Sequence, residues 1–428
     1  MQSNLQAALE RRTVHRRKAI AQMSKRALIL LEGNTRGVGL LYVQAARRLG
    51  LYPINLSADP TRYDYLDAEK IETVRVDTNN LAAVIRECSR LGATYDIAGI
   101  TTSEEFVYVT AGKLCRHFDL PGPNPASIEQ CCDKLTQCQL LADAGIPIPA
   151  YRLAQNARDV EDAAAEIGLP VILKPAVGCG SRGVRLCRTA EELAEHTIYL
   201  LGGKHIWQSL PRILVEEYAE GLQYVASMMG DELVGIAAAK FGAPPHFVYR
   251  EFTFPAVLTD KEHERIAHVS RSCVRALSLG WEPTNIELRW TKRGAVVIEV
   301  NPRPAGTPVP QLVQLAYGID LITEHIKLVI GEEWNLRRSH SQTAAGRLLL
   351  PDRDGTLNWA GDVSLATAVP GVAEIKLYVS SKTSIIRQGD NRDWLGHVIA
   401  ASPSHGETNA ILQRAVDLVG LSLTQFPP

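Results

Sequence analysis

The stretch "NIELRWTKRGAVVIEVNPRPAG", residues 285–306, sets two apolar runs on either side of the polar segment TKRG. That pattern reads as a β-hairpin. A turn centred on Arg293 places Glu287 opposite Glu299, Asn285 opposite Asn301 and Arg289 opposite Val297. Side chains alternate along a strand, so Asn285, Glu287, Glu299, Asn301 and Arg303 share one face. Ile286, Leu288, Trp290, Ile298 and Val300 cover the other face and suit a core. Two carboxylates directly opposite repel, by up to about 1 kcal/mol when exposed and by more when half-buried. A cation between them removes that penalty. Oxygen donors without His or Cys suit a hard ion, Mg²⁺ or Mn²⁺, which shares its shell with substrate phosphates. A solvent-facing polar strand with no ligand is the other reading of the same residues.

A cradle for phosphate is offered by "ILKPAVGCGSRGV", residues 172–184. Lys174 ends an apolar strand and precedes a loop containing Gly178, Gly180, Ser181 and Gly183. Glycines let backbone N–H groups wrap anionic oxygens, and the lysine adds a point charge. No G-x-x-x-x-G-K-[ST] occurs in the chain, so this is not a Walker loop. Alone, the segment reads equally well as an ordinary hairpin loop.

With 428 residues the chain is too long for one ordinary core. A hydrophobic content of 46% with 22% charged residues is that of a globular protein. A net charge of −1 gives no footprint for nucleic acid. No apolar run approaches the roughly 20 residues of a membrane span, and the N-terminus lacks the apolar core of a signal peptide. The eight cysteines lack paired metal spacing, so reduced thiols in a cytoplasm are the simplest expectation. Cys131, Cys132 and Cys138 cluster on one predicted helix; without a nearby His they read as core or surface thiols. Residues 1–25 form a basic extension, a solvated helix or partner-binding segment.

From residue 26 the pattern is βαβ: a strand (27–31), the loop GNTRGVG, a helix (38–49) and a strand (51–56), with "DIAGITTSEEF" repeating strand, loop and helix start at 96–106. Such alternation builds a parallel sheet with ligands at the carboxyl ends of its strands. The glycine spacing is wrong for a dinucleotide fingerprint, and Asp59 sits in a loop-like segment. "PGPNPASIEQ" marks a boundary near 125, followed by a helix over 131–145. Residues 212–242 read as successive strands turning at Gly221 and at Gly230–Asp231.

In combination, these segments resemble the ATP-grasp superfamily of carboxylate–amine ligases. The likeness rests on "CDKLTQCQLLADAGIPIP", "LPVILKPAVGCGSRGV", "VEEYAEGLQYV" and "NIELRW…VVIEVNPRPAG", in the family's order. It implies a mixed α/β and α+β fold: a Rossmann-like domain (26–125), a small central domain (126–215), a large domain core (216–335) and a C-terminal α+β subdomain (336–428). It implies that Lys134, Lys174, Gly178, Gly180, Ser181 and Gly183 bind the phosphates of ATP, and that Glu216, Glu217 and Ala219 bind adenine. Glu287, Glu299 and Asn301 would hold two ions, Mg²⁺ or Mn²⁺, and Arg303, with Lys174, would serve catalysis by stabilising an acyl phosphate and a tetrahedral intermediate. Gln223 departs from the family's usual glutamate at the ribose position. An amide still hydrogen-bonds a hydroxyl.

"DNRDWLGHVIAASPSHGETNAIL" (390–412), "LLEGNTRGVGL", "TTSEEF" and "FTFPA" resemble the L-amino-acid ligase, or dipeptide synthetase, group. The resemblance implies a two-step reaction: a carboxylate takes the γ-phosphate of ATP, then an amine displaces phosphate to form an amide. The partners are then a small carboxylate and a small amine, with no nucleic acid or membrane, in a protein that is often a homodimer. Arg36, Glu104, Lys240, Arg250, Glu251 and Gly306 are candidate substrate contacts; His205 and His246 are candidate bases that read equally as bystanders. Two other readings stay open: a carboxylase or purine-pathway ligase activating bicarbonate or formate, and an oxidoreductase or non-catalytic nucleotide-binding module.

Overall fold

The computed structural model describes residues 25–34, 38–203 and 211–426. The N-terminal extension up to residue 24 lies outside the described residues, as do Arg36 and His205. The chain forms two compact units, Met1–Pro125 with Ile322–Trp334, and Ala126–Leu321 with Asn335–Pro428.

The first unit is built on a parallel sheet of β1 (Arg26–Leu31), β2 (Tyr52–Ser57), β3 (Glu72–Arg75) and β4 (Asp96–Thr101), in the order β3-β2-β1-β4. Leu28, Ile29, Leu30 and Leu31 are all buried, as a strand covered on both faces requires. Helices Val38–Arg48, Leu81–Gly92 and Tyr108–His117 alternate with the strands. The late segment Ile322–Trp334 rejoins this unit: the Tyr42 hydroxyl lies 2.5 Å from His325 Nδ1, and Arg26 pairs with Glu332 at 3.1 Å.

The second unit holds three antiparallel sheets. A small one contains β5 (Tyr151–Ala154), β6 (Val171–Pro175), β7 (Arg185–Cys187) and β8 (Ile213–Glu217), in the order β5-β8-β6-β7. Helices Ala157–Ile167 and Ala190–Gly202 bury Val160, Ala164, Leu193 and Leu200 in its core. The large sheet contains β9 (Leu222–Met229), β10 (Glu232–Phe241), β11 (Tyr249–Phe254), β12 (Pro283–Thr291), β13 (Gly294–Asn301), β14 (Thr343–Leu349), β16 (Val372–Leu377) and β18 (Gly396–Ser402). Its order is β13-β12-β9-β10-β11-β14-β18-β16. A third sheet joins β15 (Gly355–Trp359), β17 (Ser384–Ile385) and β19 (Leu421–Thr424). Among the described residues, no helix is long and apolar enough to cross a membrane.

Three local expectations change. The helix expected over 131–145 is two helices, Pro125–Cys132 and Lys134–Asp143, because Asp133 leaves helical geometry to cap the second, accepting from Thr136 N at 2.9 Å. Cys131 and Cys132 therefore end one helix while Cys138 sits in the next, and none of the eight cysteines is joined in a disulfide. Gly221 is a crossing point between sheets, since β8 and β9 belong to different ones. A Cβ there would lie 2.0 Å from the Trp290 carbonyl oxygen, so only glycine fits. In the hairpin, the register shifts between Glu287 and Leu288, so Arg289 pairs with Val296 rather than Val297. The shift is a β-bulge, an extra residue that bends one strand.

His325 is fully buried, and burial lowers its pKa to about 3. The unfolded imidazole titrates near 6.5, so this group's contribution is present above that pH and is lost as pH falls. Between pH 8 and about pH 5 the loss reaches about 2 kcal/mol. Urea unfolding at the two pH values should show that extra loss in the wild type and not in His325→Gln; equal slopes would refute the assignment.

Candidate active site

The hairpin sets Glu287 directly opposite Glu299, and Asn285 opposite Asn301. Each carboxylate has a donor. Lys134 Nζ lies 2.5 Å from Glu299 Oε1, and the Tyr249 hydroxyl donates to Glu287 Oε2 at 2.6 Å. Gln223 Nε2 in turn donates to the Tyr249 oxygen at 3.2 Å. Burial, then the charge of Glu299, pushes the Glu287 pKa up. Burial alone would raise Glu299 as well, but Lys134 and Lys174, with Arg303, hold its carboxyl below the usual range. The pair is therefore asymmetric: Glu299 is firmly ionised, and Glu287 is the one whose charge the site resists. Arg303 donates to the Pro304 carbonyl at 3.1 Å, close enough for its charge to act on both acids.

The small sheet and the helix that starts at Lys134 deliver the lysines. Asp133 is gripped by Arg212, with Nη1–Oδ2 at 2.5 Å and Nη2–Oδ1 at 3.3 Å, which fixes the first turn of the helix that starts at Lys134. Lys134 N–H then donates to Ala176 O at 3.0 Å, and its ammonium to Gly178 O at 2.7 Å. Lys174 Nζ pairs with Glu216 Oε2 at 2.8 Å, both nearly fully buried. Burial alone would lower the Lys174 pKa, but Glu216, Cys138 and Glu299 hold it above its ordinary value. The loop after Lys174 turns through positive φ at Gly178 (114°), Gly180 (72°), Ser181 (62°) and Gly183 (70°). Glycine reaches that region without strain, whereas Ser181 needs support, and its hydroxyl donates to Phe247 O at 2.8 Å. On β8, Glu217 N–H donates to Ala150 O at 2.8 Å, its carboxylate pairs with Arg293 at 2.9 Å, and Ala219 beyond is buried.

The structure thus brings Lys134, Gly178, Gln223, Glu287 and Glu299 together on the paired acids, with the Lys174–Glu216 pair near enough for the lysine's charge to act on Glu299, and with Asn301 and Arg303 on the same hairpin. Other candidates within the second unit are not brought there. Lys240 pairs with Glu251 across β10–β11, and Glu251 with Arg347 across β11–β14. Pairing runs from Glu287 through Val225 to Ala237, so Lys240 falls on the reverse face of the sheet. There it forms an ion ladder, Lys240–Glu251 at 2.7 Å and Glu251–Arg347 at 2.6 Å. Arg250 is the exposed residue at the bulge in β11. Gly306 is exposed, and a Cβ there would meet nothing within 4 Å, so no close approach requires its glycine. Glu104 lies in the first unit, where it accepts from Asn34 Nδ2 at 2.9 Å. The His246 pKa is lowered, first by burial, which suits a packed side chain beside Gly389.

Sequence reasoning missed Tyr249, Asp133 with Arg212, and Arg289. Arg289 alternates with Glu287, so its face was legible. Its surroundings were not: the guanidinium carbon lies 5.2 Å from the Tyr218 ring and 5.5 Å from both Phe241 and Phe247, rings from three separate segments.

Comparison with known proteins bears on the family and the fold. Residues 167–311 match the family "ATP-grasp domain", and residues 347–424 match "L-amino acid ligase C-terminal domain 2". Uncharacterized protein y4rH of Sinorhizobium fredii is 58% identical over 408 residues, 95% of this chain and 85% of that protein. Carnosine synthase 1 of Homo sapiens is 26% identical over 74% of this chain, which spans 41% of that protein's length. The crystal structure of an L-amino acid ligase from Bacillus licheniformis superposes with a TM-score of 0.78, covering 94% of this chain and 100% of that one at 17% identity, a likeness of fold. With the lysines, the glycine loop and the paired acids assembled as described, the chain belongs to the ATP-grasp ligases, joining an ATP-grasp domain to an L-amino acid ligase C-terminal domain.

Proposed function

We propose that this protein is an ATP-dependent, ADP-forming ligase that joins a carboxylate to an amine through an acyl phosphate, with amino acids or amino-acid-like molecules as substrates. The observation that carries the reading is the directly opposed pair Glu287 and Glu299, with Lys134 seated on one acid and Tyr249 on the other. Nothing in a packing or folding role calls for that repulsion. The C-terminal match to L-amino acid ligases supports amino acids as the substrate class.

The donor set fits Mg²⁺ or Mn²⁺. Among the described residues, no group of three or more His, Cys, Asp or Glu forms a metal cage, so the protein offers two carboxylates and an amide oxygen. That set suits an ion sharing its shell with nucleotide phosphates rather than one held by protein alone. The ammonium of Lys134 and the hydroxyl of Tyr249 presently occupy the positive side of these acids. Glu287, Glu299 and Asn301 would hold the ions, which when bound would supply charge for the transferring phosphoryl group.

The chain's own residues have separable tasks. Lys134 and Lys174 donate to phosphate oxygens, both held in place by backbone and carboxylate partners before any ligand arrives. Gly178, Gly180, Ser181 and Gly183 lend backbone N–H groups to the terminal phosphates. Glu216, Glu217 and Ala219 line the base, and Gln223 faces a ribose hydroxyl. Arg303 faces the oxygen on which charge builds as the amine adds.

Incubation with ATP, Mg²⁺ and a panel of amino acids should release phosphate only when a suitable pair is present. Release with bicarbonate or formate alone would replace this reading with carboxylase-type or formyl-activating chemistry, and silence throughout would leave a nucleotide-binding module. Arg303→Ala should reduce turnover on the order of 10²–10³ while the protein still folds; near-normal phosphate release would remove Arg303 from the chemistry. Glu287→Gln separates binding from stability. Removing one of two opposed charges should stabilise the ligand-free protein by about 1 kcal/mol in thermal unfolding, yet abolish measurable turnover. A destabilised variant would show that the acids do not repel.

A further inference from the structure

The geometry points to a latch: the C-terminal loop 388–394 holds the glycine loop of the nucleotide site closed, with Asn391 as its positioning residue. The inference rests on the ligase reading above and extends it to a segment outside the ATP-grasp match, inside the L-amino acid ligase C-terminal match.

Asn391 N–H donates to Gly180 O at 3.1 Å. Its side-chain amide fills the space above Gly180 so closely that a Cβ on Gly180 would lie 2.3 Å from Asn391 Nδ2. The glycine loop is thereby tied at three successive points: Gly178 O to Lys134 Nζ, Gly180 O to Asn391 N, and the Ser181 hydroxyl to Phe247 O. Two of these anchors are Lys134 of the proposed nucleotide site and Phe247 in the loop before β11, and the middle one comes from the far end of the chain.

The loop that supplies it is stiff. The Asp393 carboxylate accepts from Gln388 N at 2.7 Å and Gly389 N at 2.8 Å, while Asp390, 1% exposed, clasps the Arg392 guanidinium at 2.6 Å. The same loop also grips the opposite wall. Trp394 Nε1 donates to Tyr249 O at 3.0 Å, and Tyr249 is the residue whose hydroxyl holds Glu287. One rigid loop therefore bridges the glycine loop and the strand that orients a proposed metal carboxylate. The bridge to the glycine loop includes the Asn391–Gly180 backbone hydrogen bond and close packing; that bond is worth on the order of tenfold in an equilibrium, weak enough to open and close around a nucleotide.

Asn391→Pro isolates that bond. Asn391 is the first residue of the 3₁₀ turn Asn391–Asp393, and Asp390 before it is extended (φ −145°, ψ −170°), so proline fits while the N–H is lost. Asn391→Ala keeps the N–H and serves as the conservative comparison. In the ligand-free protein, hydrogen exchange of residues 177–183 should quicken about tenfold in Asn391→Pro and much less in Asn391→Ala. The KM for ATP should rise by a similar factor while kcat at saturating ATP changes little. Should Asn391→Pro fail to fold, Gly180→Ala, whose methyl lands on the Asn391 amide, should loosen the loop, and Asn391→Gly in that background should restore part of the protection. Unchanged exchange in the folded variants overturns the latch whatever the protein's activity. Faster exchange with an unchanged KM for ATP overturns its role in nucleotide binding. Exchange is read without substrate, so a wild type silent with every amino acid would refute the ligase reading and not the latch.

Discussion

Two carboxylates facing each other across an antiparallel pair are the constraint around which the second unit is organised. Glu287 and Glu299 cannot be neighbours at low dielectric unless positive charge or hydrogen-bond donors surround them. Lys134 reaches Glu299 because Asp133 and Arg212 fix the turn from which it projects. Tyr249 reaches Glu287 because the large sheet brings β11 round towards β12 although two strands lie between them. Each partner is itself held by further bonds, so the strain at the hairpin is shared by both sheets.

The small sheet answers that charge with an ordered set of cations. Lys174 is nearly fully buried and remains charged because Glu216 accompanies it. A buried pair of this kind contributes little net stability, since desolvation offsets attraction, but it places a charge with little freedom to wander. Lys134 links the two sheets directly, with its ammonium on Glu299 and on the carbonyl of Gly178. The result is a path from the glycine loop through Lys134 to the hairpin, one hydrogen bond and one ion pair, in place before any nucleotide is present.

Much of the site was legible because its parts obey local rules. Period-two alternation together with a turn centred on Arg293 put Asn285, Glu287, Glu299 and Asn301 on one face, and the structure keeps their pairing. A strand ending in lysine followed by closely spaced glycines specified a loop of unusual backbone, and four of its residues take positive φ. Alternation along one strand could not place the candidate contacts Lys240 and Glu251, whose position relative to Glu287 depends on counting across several strands and a bulge in β11. Arg289 went astray for a smaller reason, a one-residue shift in β13 that pairing by symmetry does not anticipate.

The amino-acid order by itself determined the elements, the hairpin and its acidic face, the glycine loop, and the membership in a ligase superfamily that those motifs carry together. These follow from covalent periodicity, in which a residue's face depends only on its neighbours in sequence. Tertiary structure alone decided that β8 and β9 part into different sheets at Gly221, that Tyr249 meets Glu287, that three rings surround Arg289, and that Asn391 rests on Gly180. Those contacts join residues far apart in the chain. They depend on sheet order, curvature and bulges, which are set by the packing of whole layers.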